Sequence, residues 1–248
     1  MTALLASEYL KLRTVRSFWG YLLALLALAG IGAAGTIGSA TERDRAADTF
    51  LPDLAGVASV ASLIALVLGI VVVTGEFRHG TITPTFLVTP RRERVLAAKL
   101  GFGVLGGVVL ALLALVIVAA VAVPWLLALG DTQALDADTV EKAARVVLQA
   151  ALWAALGVAL GAAVQGQVAA LLGALIWILL AETLLRALLG VIDLDTVGEF
   201  LPNAALSGVG GDVGEESLSF VPALLVSLGW IALIGTVGVL RTSRTDVT

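Results

Sequence analysis

At 248 residues the length allows one or two soluble domains, but 59% of the chain is hydrophobic, only 14% is charged, and the mean hydropathy is +1.04. That balance describes an all-α polytopic membrane protein, a single transmembrane domain over 1–248. Without cysteine there is no disulfide, thiolate metal site or cysteine nucleophile, and the net charge of −4 says little because the two signs segregate along the chain.

Residues 3–17 predict an amphipathic helix. Leu5, Tyr9, Leu12 and Trp19 fall on one side, and Ser7, Arg13, Thr14 and Ser17 on the other, with Glu8 intruding on the apolar face. Two readings stand: a plain tail, or a helix lying in the headgroup layer with Lys11, Arg13 and Arg16 on lipid phosphates. Span one is expected over 18–38, twenty-one positions without a charge, against the ~20 needed to cross ~30 Å of hydrocarbon. It is too long for the apolar region of a signal peptide. A mixed-charge loop over 39–53 leads to span two, 54–74.

The segment 75–99 is the longest polar interruption between strongly apolar runs. It carries Arg78, Arg91, Arg92, Arg94 and Lys99 against Glu76 and Glu93, and so belongs on the cytoplasmic side. Gly80 breaks the preceding helix, Thr81 can cap a new one, and Pro84 is tolerable only in a first turn. Thr89-Pro90 stops that helix and opens another. The product is a short helix with Ile82 and Phe86 on one face and Leu87 and Val88 beside them. Apolar groups at a loop tip call for a partner or a membrane surface.

Span three follows over 100–123, with a GxxxG at Gly103 and Gly107 and an interfacial Pro124-Trp125. The acidic loop 130–142 offers Asp138 as a helix cap. Span four, 143–164, holds a second GxxxG at Gly157 and Gly161. The turn Gln165-Gly166-Gln167 is short enough to be a minor second cytoplasmic contact, and span five occupies 168–189. The segment 190–219 has six acids and no Lys or Arg, so it belongs outside. Span six covers 220–240, with Arg241 and Arg244 placing the C-terminus inside.

The charges support that topology. Ten basic residues fall in segments expected inside, three (Arg43, Arg45, Lys142) in segments expected outside, and Arg145 and Arg186 within spans. Both termini are thus expected in the cytoplasm. Charges inside spans are costly, which singles out Glu182 and Arg186, four apart in the favourable order for an ion pair. They either neutralise each other, or line an exit path or tie span five to a neighbouring helix. Glu76 either solvates the end of span two or pairs with Arg78, Arg91 or Arg92.

The order Gly75-Glu76-Phe77-Arg78-His79-Gly80-Thr81-Ile82, then Leu87-Val88-Thr89-Pro90-Arg91-Arg92, then Ala97-Ala98-Lys99-Leu100, resembles the signature loop of type-2 ABC transporter permeases. The resemblance extends to the N-terminal SEYLKLRTVRS segment and the six-span layout. It implies that the loop carries a coupling helix docking on a separate ATPase, with Glu76, Arg78, Gly80, Thr81, Ile82, Phe86, Leu87, Arg91 and Arg92 at the contact. Residues 3–17 would be the elbow helix, and 190–219 would hold short helices dipping back into the outer membrane face, with Pro202 at the break. Pro84 departs from the family pattern and shortens the coupling helix.

The resemblance further implies an exporter in a bacterial-type plasma (inner) membrane. Its partners would be two ATPase copies, a second permease copy, identical or not, and membrane lipids. This chain lacks a phosphate loop, so ATP and Mg would be held by the other subunit and no cofactor or metal by this one. No nucleic-acid role is indicated, since basic residues sit at span ends. The single histidine, His79, reads as a solvated loop residue, and no nucleophile or general-base set suggests an enzyme. The competing reading is a secondary transporter or channel without an ATPase, which calls for mid-membrane carboxylates or an inverted repeat.

Overall fold

The computed structural model describes residues 17–78, 80, 92–131, 134–211 and 218–244. All regular structure among them is helical, as hydrocarbon demands of a backbone that can satisfy its N–H and C=O groups only internally. In chain order the helices are α1 (Ser17–Ser39), α2 (Glu42–Arg45), α3 (Phe50–Gly56), α4 (Ala61–Arg78), α5 (Arg92–Leu129) and α6 (Ala137–Val164). Then come α7 (Gln167–Ile176), α8 (Glu182–Val191), α9 (Asp195–Gly198), α10 (Pro202–Gly210) and α11 (Phe220–Arg244). A 3-10 turn over Val57–Val60 joins α3 to α4, and a π-helical turn over Trp177–Ala181 joins α7 to α8.

Six helical stretches are long and apolar enough to cross a membrane: Trp19–Ser39, Phe50–Arg78, Arg94–Leu129, Ala137–Val164, Gln167–Val191 and Phe220–Thr242. These are the six expected spans, several of them longer than expected. Span two starts at Phe50. The basic segment and span three are one helix of 38 residues, ~57 Å at 1.5 Å per residue. It continues past Pro124, whose missing N–H forfeits one backbone bond close to the helix end.

Span four starts at Ala137 with Asp136 as its cap, in place of the expected Asp138. The reason is geometric: the Asp136 carboxylate accepts the Thr139 N–H at 2.8 Å, whereas Asp138 already lies in the first turn, where an acid favours the helix dipole. Residues 3–16 of the expected interfacial helix, and 79 and 81–91 of the expected coupling loop, lie outside the described residues.

Helix α6 is the hub. Most of its apolar stretch is buried, whereas spans five and six are largely exposed. Glycines make this possible. A Cβ on Gly157 would run into the Leu66 carbonyl oxygen of α4, and one on Gly69 of α4 would run into the Ala154 carbonyl oxygen of α6. On another side of α6, a Cβ on Gly107 would stand 2.5 Å from the Ala150 oxygen, and one on Gly103 would stand 2.7 Å from Val158 Cγ2. The GxxxG of α6 thus lets α4 close on it, and the GxxxG of α5 lets α5 close on α6, where dispersion contacts replace a hydrophobic driving force that lipid does not supply.

The bundle has a basic end and an acidic end. Arg78, Arg94 and Arg241 mark the first, and the acid-rich segments 42–53, 131–141 and 193–199 mark the second.

Candidate functional site

At the basic end, Glu76 lies in the last turn of α4 and Lys99 lies one helical hairpin away on α5. Both are buried, at 5% and 2% exposure. Lys99 Nζ stands 3.1 Å from Glu76 Oε1 and donates to the Val72 carbonyl at 2.9 Å. Lys99 therefore both neutralises Glu76 and bonds a carbonyl one turn before it on α4, riveting the two arms that enter and leave the loop. Glu76 accordingly does more than solvate the end of span two.

Arg78 reaches sideways, its Nη1 donating to Gln167 Oε1 at 3.3 Å, which connects the loop's first arm to the turn between α6 and α7. Arg241 of α11 donates to the Ala163 carbonyl at 2.7 Å, and Gln165 Nε2 is 3.5 Å from Thr242 Oγ1. So the short turn 165–167, closed by Gln165 at φ 62°, is tied to both α4 and α11. Gly80 is exposed at φ 65°, the left-handed conformation glycine adopts without cost, so it ends α4 as expected. Thr81, Ile82, Phe86, Leu87 and Arg91 lie outside the described residues, as does the side chain of Arg92.

The second cluster centres on Glu182, 1% exposed. Its carboxylate accepts three hydrogen bonds: from Trp177 Nε1 at 2.8 Å, the Asn203 N–H at 3.0 Å and the Ala204 N–H at 2.7 Å. The last two are the second and third residues of α10, whose first residue is Pro202. Pro has no N–H to offer, so the carboxylate meets the next two orphan donors of the helix, where the dipole also favours an anion. The π turn supplies the third donor. At 3.6 residues per turn, Trp177 and Glu182 would stand ~140° apart around the helix; the wider turn brings them onto one side.

Arg186 is not part of this cluster. It is exposed, no ion pair joins it to Glu182 among the described residues, and its aliphatic stem lies 3.2 Å from where a Gly198 Cβ would stand. Of the two readings of this pair, Glu182 makes the tie from span five to a neighbouring helix, α10, and does so without Arg186.

That segment is held at its other end too. Lys142 Nζ donates to the Gly210 carbonyl at 2.9 Å, a cation at the C-terminus of α10. Next to it Arg145 pairs with Glu141 and lies 4.8 Å over the Phe220 ring. A carboxylate at one terminus and an ammonium at the other match the dipole of α10 at both poles.

Two helices measure how deep the turn into α10 sits. Glu182 is nine residues in from Val191, the end of α8, or ~14 Å. Trp230, whose Nε1 donates to the Phe200 carbonyl at 2.9 Å, is ten residues in from Phe220, the start of α11, or ~15 Å. Beside it lies a cavity of about 270 Å³ lined by Trp153, Trp177, Trp230, Pro202 and Asn203.

Neither cluster is equipped for bond chemistry, and among the described residues no group of His, Asp or Glu is gathered to hold a metal. What the two clusters can do is hold helix ends rigidly together and, by letting go, release them. No protein-family model matches the chain, and no curated protein matches it in sequence.

Proposed function

We propose that the chain is the permease subunit of an ATP-driven exporter, forming the substrate path and coupling to a separate ATPase that binds ATP and Mg. One observation carries the reading beyond the motif resemblance. The two ends of the signature-like loop, Glu76 and Lys99, are locked in a buried ion pair. A force applied to the loop tip is then delivered to α4 and α5 as one lever, and through Gly69, Gly103, Gly107 and Gly157 to α6. A loop that serves only as a connection has no need of such a rivet.

In this reading the basic end faces the cytoplasm of a bacterial-type cell, both termini lie there, and two ATPase copies act on two permease copies, identical or not. The turn at 199–202 dips into the outer leaflet: its ~15 Å depth is about half of a ~30 Å hydrocarbon core, where irregular backbone needs protein partners, and Trp230 of α11 supplies one to the Phe200 carbonyl. Opening the path toward the acidic end would move α10, which Glu182 and Lys142 hold shut.

The second reading, a secondary transporter without an ATPase, gains from Glu182, since a buried carboxylate in a span is a common ion-coupling group. Its three donors favour a structural role, because a coupling carboxylate must be reachable by its ion.

The test is purification of the tagged chain from its native membranes, wild type and Phe86→Ala, with the accompanying polypeptides identified by mass spectrometry. A phosphate-loop ATPase should accompany the wild type. Truncating a buried aromatic anchor costs ~2–4 kcal/mol, so its recovery with Phe86→Ala should fall by ~30-fold or more, while Thr85→Ala should change little. Absence of any ATPase, or undiminished recovery with Phe86→Ala, overturns the proposal.

A further inference from the structure

A cavity of about 570 Å³ opens at the acidic end between α3, α5 and the start of α6, away from both clusters described above. Its body is apolar, walled by Phe50, Leu54, Leu115, Val118, Ala122 and Leu126. Its rim is not: Arg45 and Asp131 line it as well, with Arg45 Nε donating to Asp131 Oδ2 at 2.7 Å and Nη1 to the Ala40 carbonyl at 2.9 Å. The short helix α2 that presents Arg45 is itself fixed. The Thr41 hydroxyl and N–H both donate to the Asp44 carboxylate, at 2.7 and 2.9 Å, and hold its carboxyl below the usual carboxylate range.

From these features we infer that the cavity is a binding site for one zwitterionic phospholipid of the adjoining leaflet, with an acyl chain in the body and the headgroup on the rim. Three matches carry this. The α5 wall runs from Leu115 to Leu127, ~18 Å of helix, close to the ~15 Å of one hydrocarbon leaflet. The volume lies within the ~300–1,000 Å³ of small-molecule sites. The rim stands just past Leu129, the end of α5, at headgroup level, and presents one charge of each sign. A phosphate can share the Arg45 guanidinium while the ammonium meets Asp131. An anionic headgroup could approach Arg45 but would be repelled by Asp131, and a bare alkane would fill the body without engaging the Arg45–Asp131 pair. The site lies outside the signature-like loop, so it stands or falls apart from any ATPase.

The experiment is thermal unfolding of the purified full chain in detergent, with phosphatidylethanolamine, phosphatidylglycerol or hexadecane added. Phosphatidylethanolamine should raise Tm by about 3 °C or more, and the other two by clearly less. Ala119→Phe, which puts a ring into the cavity from an exposed position in its wall, should abolish the rise. Arg45→Gln should reduce it. Native mass spectrometry gives a readout without mutation: one retained phospholipid mass on the wild-type chain. Equal shifts with both phospholipids, an undiminished shift in Ala119→Phe, or no retained lipid would overturn the inference.

Discussion

The Glu182 carboxylate on α8 accepts the Ala204 N–H of α10 at 2.7 Å, so a buried acid within span five is compensated by a helix terminus rather than by the arginine one turn further on. The consequence is measurable. Glu182→Ala strands two backbone donors and an indole N–H, each worth ~1–3 kcal/mol when buried without a partner, and should cost ~3 kcal/mol or more in SDS-unfolding free energy. Arg186→Ala, at an exposed site, should stay within ~0.5 kcal/mol. A double-mutant cycle should show coupling of ~0.5–3 kcal/mol between Glu182 and Trp177 and next to none between Glu182 and Arg186. Rescue of Glu182→Gln by Arg186→Gln would restore the i,i+4 pair as the explanation.

A different balance governs Glu76 and Lys99. Removing either partner leaves an uncompensated buried charge, a loss of ~3–5 kcal/mol, whereas replacing both by apolar residues of similar volume is often neutral or better. Glu76→Leu and Lys99→Met should each lower the stability of the purified chain sharply, and the double variant should recover most of it. If the pair is also the rivet of the coupling lever, the recovered double variant should still fall short in transport. Full recovery of both would reduce the pair to a packing device.

The six spans were legible because uncharged runs of about twenty residues admit little else in a membrane, and the GxxxG motifs because small residues four apart share one helix face. The choice of α6 as hub was not legible. In lipid a buried Leu and a lipid-facing Leu look alike in sequence, so hydrophobicity says nothing about which helix is central. The donors of Glu182 were equally hidden: a backbone N–H twenty-one residues away leaves no mark in sequence, and only Pro202, a favoured first residue of a helix, hinted at where one began. Lys99 was within reach. A helical hairpin sets its two arms at matching heights, which places Lys99 opposite Glu76.

Close packing of α4 on α6 gives a third prediction. Gly157→Ala puts a methyl against the Leu66 carbonyl, a backbone atom that cannot swing aside, so it should cost at least the ~1–3 kcal/mol typical of overpacking. Gly173→Ala is the control: nothing lies within 4 Å of the added carbon, and alanine's better helix propensity, up to ~1 kcal/mol, should leave the chain unharmed or slightly firmer. Equal tolerance of both in a detergent-melting assay would contradict the close approach at α6.

Orientation is the last test, and the absence of cysteine makes it clean. The basic end should face the cytoplasm, because Lys and Arg resist translocation across the membrane and the basic residues cluster there. Two exposed positions suit single cysteines. Leu135, 78% exposed, lies at the acidic end. Gly166, exposed in the turn between α6 and α7, has an extended backbone with φ −98° and ψ 118° and only Ala169 Cβ, at 3.7 Å, near an added carbon. In intact cells an impermeant maleimide should label Leu135→Cys and spare Gly166→Cys, and both should react once the membrane is permeabilised. The reverse pattern would put Glu182 and α10 on the cytoplasmic side and the Glu76–Lys99 rivet on the outside, where no ATPase could reach the loop it closes.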